Sequence, residues 1–138
     1  MELLPSGLPK IVGNDEDLAR FLCSRGEFNS TMVKPAAFLP NPKDGTKSVS
    51  RHGKEPFEGL KQLGREYLKD RTVYGAAIFK AHQVRAAKLE VVAIEPPLRH
   101  AQIERWPRVE SDPELQKAKC LECALLISRH AELVRFEF

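Results

Sequence analysis

Arginine and histidine stand side by side three times in this chain, at Arg51-His52, Arg99-His100 and Arg129-His130. A guanidinium offers a rigid fork of donors to phosphate or carboxylate, and an imidazole can move a proton near neutral pH. In an extended segment neighbouring side chains point to opposite faces, so one member of each pair at most faces a given site. The third pair falls near the end of an expected helix, where cations offset the dipole, and needs no ligand. If the first two pairs meet across a sheet, Arg51 with Arg99 or His100 forms an anion-binding fork. The competing outcome is structural: each arginine pairs with Glu90, Glu95 or Glu104.

Charge placement favours those two pairs. The formal net charge is only +3. Residues 32–54 carry Lys34, Lys43, Lys47, Arg51 and Lys54 against Asp44, and residues 80–108 carry six Lys or Arg against Glu90, Glu95 and Glu104. The two ends are slightly acidic and the middle is neutral. An excess this small releases few counterions, so nucleic-acid binding is expected to be weak or absent.

Other chemistry-bearing motifs read as structure. Cys120-x-x-Cys123 with His130 has half of a zinc site's ligands and lies on an apolar helix, which favours packing over metal binding. No metal or cofactor is expected. Gly45-Thr46-Lys47-Ser48 lacks the first glycine of a phosphate loop and runs into a strand where that loop needs a helix. Trp106, the only tryptophan, is expected to anchor the core. Dinucleotide, metalloprotease and nucleophile-elbow signatures are absent.

The elements that position these residues follow from periodicity. Asn14-Asp15-Glu16-Asp17 reads as a cap and acidic first turn before Leu18, Phe21 and Leu22, which predicts a helix over 15–25. Val33–Pro40 reads as an edge strand, residues 41–45 as a turn, and Lys47–His52 as the partner strand of a hairpin. Leu60, Leu63, Tyr67 and Leu68 predict a second helix over 56–70. Strands are expected at 73–80 and 89–94, around a short turn or helical turn at 81–86. Asp112-Pro113 starts a last helix running to about 132, apolar nearly all round and expected to be deeply packed. The fold class is therefore α+β: three helices on a mostly antiparallel sheet of about four strands, a single domain over 1–138 whose ends, 1–13 and 133–138, are expected to be less ordered.

With 138 residues, 42% of them hydrophobic and 30% charged, the composition is that of an ordinary soluble protein. No apolar run reaches the roughly 20 residues of a membrane span. An odd count of three cysteines and a start, MELLPSGLPKIVG, without a basic leader point to reduced thiols and a cytoplasmic location.

The stretches AAFLP at 36–40, SVSR at 48–51, YGAAIFKAHQVRA at 74–86 and EPPLRHAQIERWP at 95–107 resemble a family of small uncharacterised bacterial proteins, over about residues 15–126. That family carries no established activity, cofactor or partner. The resemblance implies a stand-alone bacterial cytosolic domain and singles out Ser48, Arg51, Arg99 and His100.

Three readings follow. The first is a non-catalytic binding or accessory protein whose cleft, built from Arg51, Arg99, His100 and Ser48, accepts a small anionic ligand; a protein partner is also admitted. The second is a small enzyme acting on a phosphoester or nucleotide, with His100 as general acid or base. The third is a nucleic-acid accessory domain. In the first, Pro96-Pro97 keeps the following segment out of the sheet and holds Arg99 or His100 beside Arg51.

Overall fold

Leu18 and Leu22 are buried in one apolar cluster and Ala19 and Phe21 in another, an alternation that only an extended chain can make. The computed structural model, which describes residues 2–136, accordingly has strand β1 at Asp17–Leu22 where the spacing predicts a helix. A short apolar run fits either period, and the choice falls to burial on both faces. The acidic residues taken for a helix cap serve ion pairs instead: Glu16 holds Arg51, and Asp17 holds Lys80 at 2.9 Å.

The chain continues as β2 (Lys47–Ser50), α1 (Phe57–Tyr67), β3 (Gly75–Lys80), α2 (Ala81–Ala86), β4 (Glu90–Ala93), β5 (His100–Glu104), α3 (Pro113–Ser128) and β6 (Glu132–Arg135). All strand pairs are antiparallel, in the order β4-β5-β2-β1-β3-β6. Among the described residues the class is α+β with three α-helices, but the sheet has six strands rather than about four, and the first expected helix is replaced by α2.

Several expectations about single elements are overturned. Residues 35–37 of the expected edge strand form a 3-10 turn with proline in its first turn, because Ala37 and Phe38 leave the sheet to plug its core face; Phe38 meets Phe79 edge-on at 5.1 Å. The 41–45 turn forms as read, with Gly45 at φ +72°, yet β2 pairs with β1 and β5 rather than with a preceding hairpin strand. The segment after Pro96-Pro97 does not leave the sheet. The prolines occupy the loop of a β4–β5 hairpin, and His100–Glu104 becomes an interior strand. α3 is not deeply packed: Cys120, Ala124, Ile127 and Ser128 face inward, whereas Leu115, Leu121, Leu125 and Leu126 are exposed.

The larger core cluster joins one sheet face, through Leu18, Leu22, Val49, Phe79 and Ile103, to α2, α3 and Phe38. Trp106 is buried there and donates its indole N–H to the Ile103 carbonyl at 3.1 Å. The smaller cluster, on the other face, packs Ala19, Phe21 and Ala76 against Leu60 and Leu63 of α1. Of the ends expected to be less ordered, Leu3 bridges Pro9, Val12 is buried and residues 132–135 form β6; residues 1, 137 and 138 lie outside the described residues.

Candidate functional site

Strand β2 is half core and half site. The side chains of Val49 and Arg51 are buried toward the core, and Ser48, Ser50 and, past the strand end, the equally buried His52 line a cleft between the sheet and the end of α1. β5 lies alongside with Ser50 opposite His100 and Ser48 opposite Gln102. On the other flank β1 shares one ladder pair with β2, Ala19 with Ser50. The small Ala19 side chain keeps space open over Ser50. Beyond that pair the strands separate, and the Arg20 guanidinium donates to the freed Ser48 carbonyl at 3.1 Å. The cleft has a volume of about 270 Å³, with Phe21, Tyr67, Leu68 and Leu98 as its apolar wall.

The β4–β5 hairpin sets the far wall. The Glu95 carboxylate accepts from the Ser6 N–H at 3.0 Å, the Ser6 hydroxyl at 2.5 Å and the Arg99 N–H at 3.0 Å. Arg99 takes φ +64°, an uncommon left-handed turn for a residue with a side chain, and its guanidinium donates to Glu55 at 3.3 Å. His100 Nδ1 lies 3.0 Å from the Ile94 carbonyl. A carbonyl only accepts, so Nδ1 carries the proton and Nε2 of the neutral ring is an acceptor.

His52 is held from two sides. Its Nδ1 is in hydrogen-bond contact with the Ser50 hydroxyl, and its ring lies 5.9 Å from that of Tyr67. Burial, and then the Arg99 charge, push its pKa below the ordinary histidine value, with Glu55 opposing, which favours the neutral ring. Gly53 follows because the chain there crosses β1. Any Cβ at that position would collide with the Asp17 backbone, whose carbonyl accepts the Gly53 N–H at 3.2 Å.

Arg20, Lys47 and Arg71 lie near one another, with Glu27 as the carboxylate that acts on them. Burial, and then Arg20, push Lys47 down to about 8. Arg20 Nε is buried with no hydrogen-bond partner, a costly state for a charged donor. Glu27 spends one carboxylate oxygen on the Cys23 and Ser24 N–H groups.

Of the four residues singled out in the sequence, Ser48, Arg99 and His100 line the cleft, and Arg51 does not. Its side chain is wholly buried. Nε and Nη2 grip Glu16 at 2.5 and 2.8 Å, and Nη1 donates to the Pro9 carbonyl at 2.8 Å. Only its backbone reaches the site, donating to the Arg99 carbonyl at 2.7 Å. The ion-pair outcome thus holds for Arg51 with Glu16 and for Arg99 with Glu55, rather than with Glu90, Glu95 or Glu104. Ser50, His52 and Arg20 were missed; the alternation of SVSRH carried the signal for the first two.

The two basic segments also meet beyond the β2–β5 ladder, where turn 41–46 faces residues 104–108 across a wider cavity of about 620 Å³. There Lys43, Arg105 and Arg108 are offset by Asp44, Glu104 and Glu110. The Cys120 thiol reaches the Pro107 carbonyl at 3.7 Å and Cys123 the Ala87 carbonyl at 3.6 Å, and burial pushes both thiols up. They are directed at different carbonyls and behave as packed side chains. No family model, curated protein or solved structure matches this chain.

Proposed function

We propose that this protein is a binding or accessory protein of bacterial cytosol that takes a small anion bearing an apolar group into the cleft between α1 and strands β1, β2 and β5. The observation that carries this reading is the mixed lining of the cleft, which sets Ser48, Ser50, Arg99 and His100 around a space shared with Phe21, Tyr67, Leu68 and Leu98. Concave, largely apolar sites with a few convergent polar groups are the usual form of small-ligand sites. Arg99 spends one contact on Glu55 and is partly exposed, so donors remain for a ligand. Arg20 also lines the cleft, its guanidinium held by the Ser48 carbonyl. Charge balance in the wider cavity keeps nucleic-acid binding weak.

The test is a titration of ¹⁵N-labelled protein with phosphate, sulfate, mononucleotides and benzoate. Amide shifts at residues 48–52 and 98–102, largest for a ligand with both charge and ring and lost in Arg99→Ala, are the expected result. Shifts confined to residues 41–46 and 104–110, or none at millimolar ligand, overturn it.

One observation favours catalysis as a second reading. His100 is locked with Nε2 as its acceptor, the form a general base on a phosphoester or nucleotide needs. Hydrolysis of a phosphoester, abolished in His100→Gln while anion shifts persist, separates this reading from simple binding.

A further inference from the structure

We infer that Ser50 is a nucleophile, activated by His52, and that the cleft hydrolyses a small anionic ester; this rests on the reading that the cleft admits an anion with an apolar group. Three placements converge on the Ser50 hydroxyl. Its oxygen contacts His52 Nδ1, its cross-strand neighbour on β1 is the short Ala19, and its neighbour on β5 is His100. An ordinary serine is a weak nucleophile and needs an adjacent base to take its proton. His52 suits that role because it is held against Tyr67 and its surroundings favour the neutral ring. In the tautomer protonated at Nε2, Nδ1 accepts from Ser50. Arg99 brings positive charge to the same wall, where the oxyanion of an acyl transfer would develop.

The step balances within the site. Ser50 Oγ bonds to the ester carbonyl carbon while its proton passes to His52 Nδ1. The tetrahedral adduct collapses, the bond to the leaving oxygen breaks, and that oxygen takes the proton from His52. Water then attacks the acyl-serine by the same proton route, releasing the acid and restoring the Ser50 hydroxyl.

A fluorophosphonate probe with an alkyl tail tests this directly. Oγ attack on phosphorus expels fluoride and leaves a stable phosphonyl-serine whose position is read by peptide mass spectrometry. The expected result on the full chain is modification at Ser50, none in Ser50→Ala, unchanged labelling in Ser111→Ala, an exposed serine outside the cleft, and a rate about 100-fold lower in His52→Gln, within the range of general-base effects. His52→Asn gives a second measure of the base, and amide spectra report whether each variant is folded. An unmodified Ser50 in the wild-type chain, or equal rates with and without His52, overturns the proposal. If anion-induced shifts in the cleft persist in that case, the nucleophile fails and the binding site stands; if they too are missing, both fail.

Discussion

Val49 and Ser50 are adjacent on one strand, yet they belong to different parts of the molecule. The face that takes Val49 and Arg51 is closed by α2, α3 and Phe38, and the Arg51 guanidinium is held there by three hydrogen bonds, two to Glu16 and one to the Pro9 carbonyl. The face that takes Ser48, Ser50 and His52 is covered by α1 only toward β1 and β3, and its polar groups are left partly unmatched. Charge alone therefore does not identify a site. Arg51 and Arg99 are both ion-paired, but one is sealed and spent while the other is 38% exposed with donors to spare.

The sharpest way to break this comparison is to remove the two arginines in turn. Arg51→Ala strands Glu16 and should lower unfolding stability by about 3 kcal/mol, as for other broken buried pairs. Arg99→Ala should cost under about 1 kcal/mol, as for exposed pairs, yet weaken anion binding. Urea melts of both variants check the first half, and the reverse order would show that the faces have been misassigned.

The neighbours on β2 give the next largest contrast. Val49→Ala empties a packed position and should cost about 2 kcal/mol, whereas Ser50→Ala removes only the hydroxyl that holds His52 and should cost about 1 kcal/mol. Equal losses would mean that the cleft side is as tightly packed as the core. Gly53→Ala should cost a similar amount to Val49→Ala, about 2 kcal/mol by overpacking. Unlike Val49→Ala it should also move the amide signals of His52 and Arg99, because the displaced backbone is the one that aims His52.

The smallest effect is in pH. His52 has a folded pKa below its unfolded value, so between the two the unfolded chain binds more protons. Stability should fall as pH drops through about 6.5, the ordinary histidine value. His52→Gln should flatten that decline. A wild-type profile that instead gained stability on acidification would place His52 beside an unneutralised carboxylate.

How far the sequence disclosed all this depends on the range of the forces involved. α1 was legible from Leu60, Leu63 and Tyr67, and the cap of α3 from Asp112-Pro113, since both are set within a turn or two of chain. β1 was misread because whether DLARFL is buried on one face or two is decided by α1 and by helices far along the chain. β5 was lost behind Pro96-Pro97, where missing donors suggested an exit from the sheet; the prolines lie in the hairpin loop, before the ladder resumes at His100. Ser48, Arg99 and His100 were found as a group. Arg51 was assigned to the same group because nothing local shows that Glu16, 35 residues away, would claim it.

The clasp between Ser6 and Glu95 bears on the order in which the molecule can assemble. These residues are 89 positions apart, and Arg51 reaches the Pro9 carbonyl across 42. Closing such loops costs entropy that local contacts cannot offset, so pairings of this separation form late. During synthesis residues 3–9 emerge well before β4 and β5 and have to wait for their partners. They must stay in solvent until the β4–β5 hairpin has emerged, and they then lock onto it and onto Arg51 in one motion. Residues 3–9 thereby register the arrival of the β4–β5 hairpin, and the far wall of the cleft takes its final shape only when that happens.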